Sequence, residues 1–337
     1  MINPKTISAI PTTIITGFLG VGKSSAILHL LNNKPPSERW AVLVNEFGEI
    51  GIDGSLFQGQ YAQEKGVFIR EVPGGCMCCT AGLPMQVALN QLLKSARPDR
   101  LLIEPTGLGH PKEVLQVLTA EAYRSVIQLQ QIVTLVDARK LSDSRYTNHD
   151  TFNEQIAIAD IVVGNKQDLY INDEKYQLDA YVKQHAQAHA KVLFTQEGNI
   201  TAIDLSKRTT ATAKKSHHHP PEDKPLLSTM AIPTCGYIKA VNKGEGFYSI
   251  GWRFLPNRLF HYEKLLAFLN RINAERMKAT FITNQGLFSY NLTSDSLTEQ
   301  ILNHCSESRI EIIDTQINEQ WEKQLMGCII SGIEKAR

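Results

Sequence analysis

The sequence contains no apolar run approaching the ~20 residues that a membrane span needs, no internal repeat and no surplus of either charge, with 35 Lys and Arg against 34 Asp and Glu. That balance excludes the basic field of a nucleic-acid-binding surface or of a protein held on anionic lipid. Cysteine is sparse for a disulfide-stapled fold, at six residues in 337. The apolar run at 12–21 is short, includes Gly17 and Gly20, and leads into no small-residue cleavage pattern, so it does not read as a signal peptide. The expectation is a cytosolic protein, monomeric or weakly homo-oligomeric, with no nucleic-acid or membrane partner. In a reducing compartment, clustered thiols more often ligate metals or carry redox chemistry than form structural disulfides.

What is present is the composition of a globular protein, 42% hydrophobic, long enough for two domains with separate cores. Short β-branched runs at 12–16, 41–44, 67–72, 101–103, 132–136 and 161–163 alternate with helical patterns at 24–31, 83–96, 111–118 and 173–190. Alternation of this kind predicts an α/β domain over 1–205, a doubly wound and mostly parallel sheet that binds ligands at the carboxyl ends of its strands. Residues 206–229 are polar, proline-containing and aperiodic, and read as a flexible linker. Beyond it, 230–337 predicts a smaller α+β domain with a mixed or antiparallel sheet, including a hairpin around Asn284-Gln-Gly286 and a closing helix at 319–333.

Gly17-Phe-Leu-Gly-Val-Gly-Lys-Ser24 matches G-x-x-x-x-G-K-[ST] between a strand and a helix, the context that gives this motif meaning. The backbone of Gly17, Gly20, Val21 and Gly22 and the helix start at Ser24 and Ser25 would cradle phosphates. Lys23 would reach the β- and γ-phosphates, and the Ser24 hydroxyl would ligate Mg²⁺. Asn165-Lys-Gln-Asp168 follows a strand and has the form N-K-x-D. An aspartate at the position of Asp168 can accept from the ring N–H and 2-amino group of guanine, both of which adenine lacks. With Asn165 and Lys166 beside it, GTP is the expected nucleotide.

Glu104-Pro-Thr-Gly107, at the end of another strand, places a carboxylate three residues before a glycine. Glu104 could hold Mg²⁺ through water or orient the attacking water, while the Gly107 amide senses the γ-phosphate. Asp137, after the strand at 132–136, is less specific and could simply close a turn. Val44-Asn-Glu-Phe-Gly-Glu-Ile-Gly-Ile-Asp-Gly54 combines three acids with three glycines and suits a switch segment, in which Asp53 could orient water or bind Mg²⁺ and Glu46 could reach a second metal.

Cys76-Met-Cys-Cys79 follows the run at 67–72. Three thiolates favour a borderline tetrahedral ion such as Zn²⁺ and leave one position for Glu46, water or a donor from a partner, which suits transfer better than storage. A redox pair and inert buried cysteines are the alternatives. His217-His-His219 divides evenly between metal scavenging and a solvated linker. His185 and His189 are expected to be a surface pair on one helix, and the isolated Cys235, Cys305 and Cys328 to be core packing.

Taken together, the phosphate loop, Val44-Asn-Glu-Phe-Gly-Glu49, Gly75-Cys-Met-Cys-Cys79, Glu104-Pro-Thr-Gly107 and Asn165-Lys-Gln-Asp168 resemble, in order and spacing, the CobW-type P-loop GTPases, a group that includes zinc-regulated metallochaperones. The resemblance covers the first domain closely. It implies that Cys76, Cys78 and Cys79 bind the metal, that the segment around Glu46 switches, and that GTP turnover is coupled to metal delivery to a metal-requiring client protein. In the second domain the family's R-x-K-G run is Arg276-Met-Lys-Ala279 here, with alanine for glycine. A metal-sensing switch without transfer and a thiol-redox GTPase are the competing readings.

Overall fold

A computed structural model describes residues 7–44, 66–72, 83–211, 231–244 and 246–330. The described residues fall into two compact units, one ending at Ala211 and the other beginning at Ala231.

In the first unit the apolar runs form β1 (Ile10–Gly17), β2 (Trp40–Val44), β3 (Val67–Glu71), β4 (Arg100–Glu104), β5 (Ile127–Leu129), β6 (Val133–Val136), β7 (Ile161–Gly164) and β8 (Lys191–Phe194). They make one sheet in the order β3-β2-β4-β1-β6-β7-β8, with β5 also on β1, and each pair in it is parallel. Because both faces of such a sheet are covered by helices, its central strands are buried from end to end rather than alternating. Thus Trp40-Ala-Val-Leu-Val44 and Val133-Thr-Leu-Val136 expose no residue. Helices α1 (Lys23–Asn32), α2 (Leu83–Ala96), α3 (Pro111–Thr119), α4 (Ser144–Thr147), α5 (Asp150–Ala157) and α6 (Glu174–His185) accompany the strands. The chain leaves β1 towards β2 on one side and later returns to β6 on the other, so the carboxyl end of β1 is the point where strand order reverses, the usual ligand crevice of this architecture.

In this first unit two strands and two helices have no counterpart among the elements expected from sequence. β5 is only three residues long, β8 is an edge strand whose Lys191 and Leu193 face solvent, and α4 and α5 are short and polar. The helix expected over 173–190 stops at His185, where Ala186 takes an extended conformation. His185 and His189 are therefore not on one helical face: His185 stacks on Tyr181 at 4.1 Å, and His189 Nε2 lies 3.1 Å from Asp160 Oδ1. Residues 206–211 stay with the first unit, through an antiparallel bridge between Arg208 and Gln130 and a hydrogen bond from Gln131 N to Lys207 O at 2.8 Å.

The second unit contains β9 (Tyr237–Gly244), β10 (Phe247–Phe254), α7 (Tyr262–Leu269), β11 (Arg276–Thr283), β12 (Gly286–Leu292), β13 (Leu297–Ile301), β14 (Ser308–Asp314) and α8 (Gln320–Met326). Its six strands are antiparallel throughout, in the order β13-β12-β11-β14-β10-β9. Trp252, Phe254, Phe260 and Phe281 lie fully buried in its core, and each contributes roughly 1.5–3 kcal/mol by leaving water. Ala279 is fully buried opposite Tyr290 on β12. Of the isolated thiols, Cys328 is buried as expected and Cys305 partly so, but Cys235 is exposed, because it precedes β9 in a turn rather than pointing into the core. Among the described residues no helix is long and apolar enough to cross a membrane.

Candidate functional site

The phosphate loop turns sharply out of β1 at Gly17, whose φ is +143°. A Cβ there would stand 2.4 Å from Leu135 O, so only glycine lets the loop pass this close to β6. Gly20 and Gly22 also take positive φ, and a Cβ on Gly22 would meet Asn165 Nδ2 at 2.6 Å. Helix α1 then begins at Lys23 with no side-chain cap. Its first N–H groups and the positive end of its dipole therefore point out of the helix undiverted, which is an anion-binding arrangement. The Lys23 side chain is buried and folds back along the loop, donating to Gly17 O at 2.8 Å and Phe18 O at 3.1 Å. Ser25 is exposed and Val21 buried. Phe18 anchors the loop from below in edge-to-face contact with Tyr146 at 5.1 Å, His149 at 4.8 Å and Phe152 at 5.9 Å.

Glu104 closes β4 and is 2% exposed. Ser24 Oγ donates to its Oε1 at 3.0 Å, which joins the first turn of α1 to the end of β4. A hydroxyl and a carboxylate side by side are hard oxygen donors of the kind Mg²⁺ accepts, so these residues fit that ion. Gly107 packs against the same loop: a Cβ on it would lie 3.0 Å from Lys23 Nζ and 3.1 Å from Leu19 N. The segment carrying Gly107 is held from behind by α5. Gln155 Nε2 donates to Gly107 O at 3.0 Å. Glu154 takes His110 Nδ1 at 3.2 Å and the Lys112 amide at 3.2 Å, with Lys112 Nζ at 3.6 Å. Burial pushes the Glu154 carboxyl up, but hydrogen bonds from His110 and the Lys112 amide, with the charges behind them, outweigh this and hold it below the ordinary glutamate value. Neither Gln155 nor Glu154 is marked in the sequence, since α5 lies some fifty residues from the loop it supports.

On the other side of β1, Asn165 follows β7 and is 2% exposed. Its Nδ2 donates to Val21 O at 2.8 Å and its Oδ1 accepts from Gly198 N at 2.9 Å, so one carboxamide ties the phosphate loop to the loop after β8. Lys166 adopts the left-handed conformation and places Nζ 3.7 Å from Asp137 Oδ2. Asp137 does more than close a turn, because it also receives Arg139 Nε at 2.9 Å and Nη2 at 2.6 Å. Tyr170 Oη donates to Asn165 O at 2.7 Å and accepts from Ala138 N at 3.2 Å, and burial drives its hydroxyl pKa up to about 12. Asp168 is exposed in a 3-10 turn, Gln167–Leu169, next to this braced framework. The loop Thr195-Gln-Glu-Gly-Asn199 is absent from the expectations; its only signal is a glycine following a weak edge strand.

Asp53, Glu46, Cys76, Cys78, Cys79 and His217 to His219 lie outside the described residues. The strands that lead to them do not. Val44 at the end of β2 pairs with both Glu71 at the end of β3 and Glu104 at the end of β4, so the three chains leave the sheet at one level. Among the described residues no group of three or more His, Cys, Asp or Glu is placed to hold a metal ion.

Residues 11–194 match the model of the CobW/HypB/UreG nucleotide-binding domain. The zinc chaperone YeiR of Escherichia coli is 39% identical over 310 residues, covering 90% of this chain and 93% of that protein. The zinc-regulated GTPase metalloprotein activator 1 of Schizosaccharomyces pombe is 32% identical over 201 residues, covering 59% of this chain and 48% of that protein. Among solved structures, the Zn(II)-bound YjiA GTPase of E. coli aligns over 95% of this chain and 99% of its own, with 18% identity and a TM-score of 0.42. The matched span begins one residue into β1 and ends with β8, thereby including the phosphate loop, Glu104, Gly107 and Asn165 to Asp168, and the chain belongs to the CobW/HypB/UreG family.

Proposed function

We propose that this P-loop GTPase is a metallochaperone that binds Zn²⁺ as cargo through Cys76, Cys78 and Cys79, with Glu46 as a nucleotide-dependent fourth ligand, and delivers the ion to a client protein. The observation that carries this reading is the shared register of Val44, Glu71 and Glu104. Glu46 is two residues beyond Val44 and Cys76 five beyond Glu71 in sequence, so the segments that carry them continue from the ends of two neighbouring strands. Glu104, which accepts from Ser24, stands at the third. A thiolate cluster and a phosphate site tethered to one sheet edge can exchange free energy through the segment that joins them.

The residues divide the work as follows. Lys23 and the uncapped start of α1 bind the phosphates, while Ser24 and Glu104 hold Mg²⁺, which neutralises the charge that develops on the transferred phosphoryl group. Gly107, seated on Leu19 and Lys23, reports the γ-phosphate, and Asp168 reads guanine. The zinc-chaperone names of the relatives and the soft donor set Cys76-Met-Cys-Cys79 agree on the cargo. If GTP draws Glu46 towards the thiolates, zinc binds more tightly in the GTP state, and hydrolysis loosens it for transfer. A coupling of ~1–3 kcal/mol makes the difference roughly 5- to 150-fold, and GTP affinity rises by the same factor when zinc is bound. Zinc titration against a competing chelator, with GDP and then with a non-hydrolysable GTP analogue, measures it. Equal affinities in the two states would remove nucleotide-gated delivery, and a reversible disulfide among the three cysteines would point to redox chemistry instead.

A further inference from the structure

Helices α7 and α8 lie side by side in the second unit and enclose a groove of about 600 Å³ between them. Lys264, Phe268 and Arg271 line one wall at helical spacing, with Arg271 kept in the last turn by its N–H to Phe268 O at 3.0 Å. Gln320, Lys323 and Gln324 line the other wall. Ala267 and Gly327 are too small to fill the space between the walls, which leaves an apolar floor beside Phe268, and no aspartate or glutamate lines the groove.

The three cations differ from the rest of their unit. Lys239 is paired with Glu322, and Arg253 and Arg309 with Glu307. Arg258 donates to Cys235 O, Lys243 lies over the Tyr248 ring, and Arg276 and Lys278 are likewise engaged. Among the lysines and arginines of the described residues 231–330, only Lys264, Arg271 and Lys323 have side chains with no hydrogen bond, ion pair or ring contact, and all three are exposed on this one groove. Cations scattered at random over a surface that is otherwise ion-paired would not converge in this way.

We propose that the groove between α7 and α8 docks an acidic peptide segment of a partner protein. Carboxylates would meet Lys264, Arg271 and Lys323, the glutamine amides can hydrogen-bond the peptide backbone, and an apolar side chain would sit on Phe268 between Ala267 and Gly327. Charged rim over apolar floor is the arrangement that recognises a short segment of mixed character. Nucleic acid needs a longer basic stripe than three cations in one concavity, and a membrane surface needs protruding rather than recessed apolar groups. On the reading given above the partner is the client protein, and the identification of the partner rests on that reading; the groove's chemistry does not.

The test is binding of a short fluorescein-labelled peptide of Glu-Glu-Leu repeats to the full chain, measured by anisotropy, with inorganic tripolyphosphate, single-stranded RNA and phosphatidylserine vesicles as competitors. The expected result is saturable binding that weakens about tenfold, ~1.4 kcal/mol, in K264E/K323E and also on raising salt from ~0.1 to 1 M, where the screening length falls from ~10 to ~3 Å. R271Q, which removes charge without reversing it, should give a smaller loss in the same direction. GTP turnover and the circular dichroism spectrum should be unchanged in each variant, since none of these residues belongs to the nucleotide site. Equal peptide affinity in K264E/K323E, or a competitor that displaces the peptide while a lysine-for-glutamate control peptide binds as well, would overturn the proposal. Absent peptide binding alongside intact zinc–GTP coupling would sink the docking site and leave the metallochaperone reading standing; the opposite pattern would do the reverse.

Discussion

Replacing Asn165 by alanine should show that this residue acts as a brace rather than a base contact. Its carboxamide makes two buried hydrogen bonds, 2.8 Å to Val21 O and 2.9 Å from Gly198 N. Removing both is worth ~0.5–1.5 kcal/mol each in net terms, and stranding a buried carbonyl and a buried amide adds part of the ~1–3 kcal/mol cost of an unsatisfied group. A total of about 2–4 kcal/mol follows, which for a domain of this size lowers the melting temperature by roughly 5–15 °C. Because Val21 and Gly198 flank the part of the site common to both nucleotides, affinities for GTP and GDP should fall by the same factor, with their ratio unchanged. Asn165→Asp sharpens the test. The aspartate can still accept from Gly198 N, but its second oxygen faces Val21 O, acceptor against acceptor. It should therefore be as damaging as alanine at neutral pH and recover as pH falls, when protonation restores a donor. Calorimetry of the two variants, with nucleotide titrations from pH 5 to 8, provides the readout. A melting shift below about one degree in Asn165→Ala, or an Asn165→Asp variant indifferent to pH, would refute the reasoning.

Asp168→Asn should weaken GTP and admit xanthosine triphosphate, whose 2-oxo group suits an amide donor; unchanged base preference in a competition assay would show that the exposed Asp168 does not read the base. Glu154→Gln bears on stability against pH. The folded-state pKa of Glu154 is depressed, so its contribution is fully present above the ordinary glutamate value of ~4.3 and is lost as pH falls through the folded value. The variant should be less stable than the parent at pH 7, with the gap closing towards pH 3, in urea unfolding followed at several pH values. A gap that is constant with pH would mean that the carboxylate's ionisation plays no part in holding His110 and Lys112.

The nucleotide half of this protein was legible because its chemistry is written in contiguous residues. Gly17 to Ser24 needs a strand before it and a helix after it, and both are signalled by short-range apolar period; β1 and α1 accordingly fall within two residues of their expected ends. The antiparallel hairpin at Asn284-Gln-Gly286 was legible for the same reason, as Thr283 pairs with Gly286 across a two-residue turn. What local pattern cannot contain is the company a residue keeps across the sheet. Asn165 has the sequence signature of a base reader, yet its side chain spans 144 positions to reach Val21. Ser24 meets Glu104 80 positions away, and Gln155 supports Gly107 from a helix whose own sequence is undistinguished. Strands β5 and β8 are too short or too exposed to announce themselves, and form because the buried β1 and β7 offer them a partner. Lys264, Arg271 and Lys323 are three ordinary surface cations in sequence, and line one groove only because α7 and α8 pack side by side. Sequence by itself determined the shape of the loop from Gly17 to Ser24, since backbone conformation there is set by the glycines themselves; the tertiary fold decided which distant side chains brace that loop, because pairing across a sheet depends on strand order, a property of no single segment.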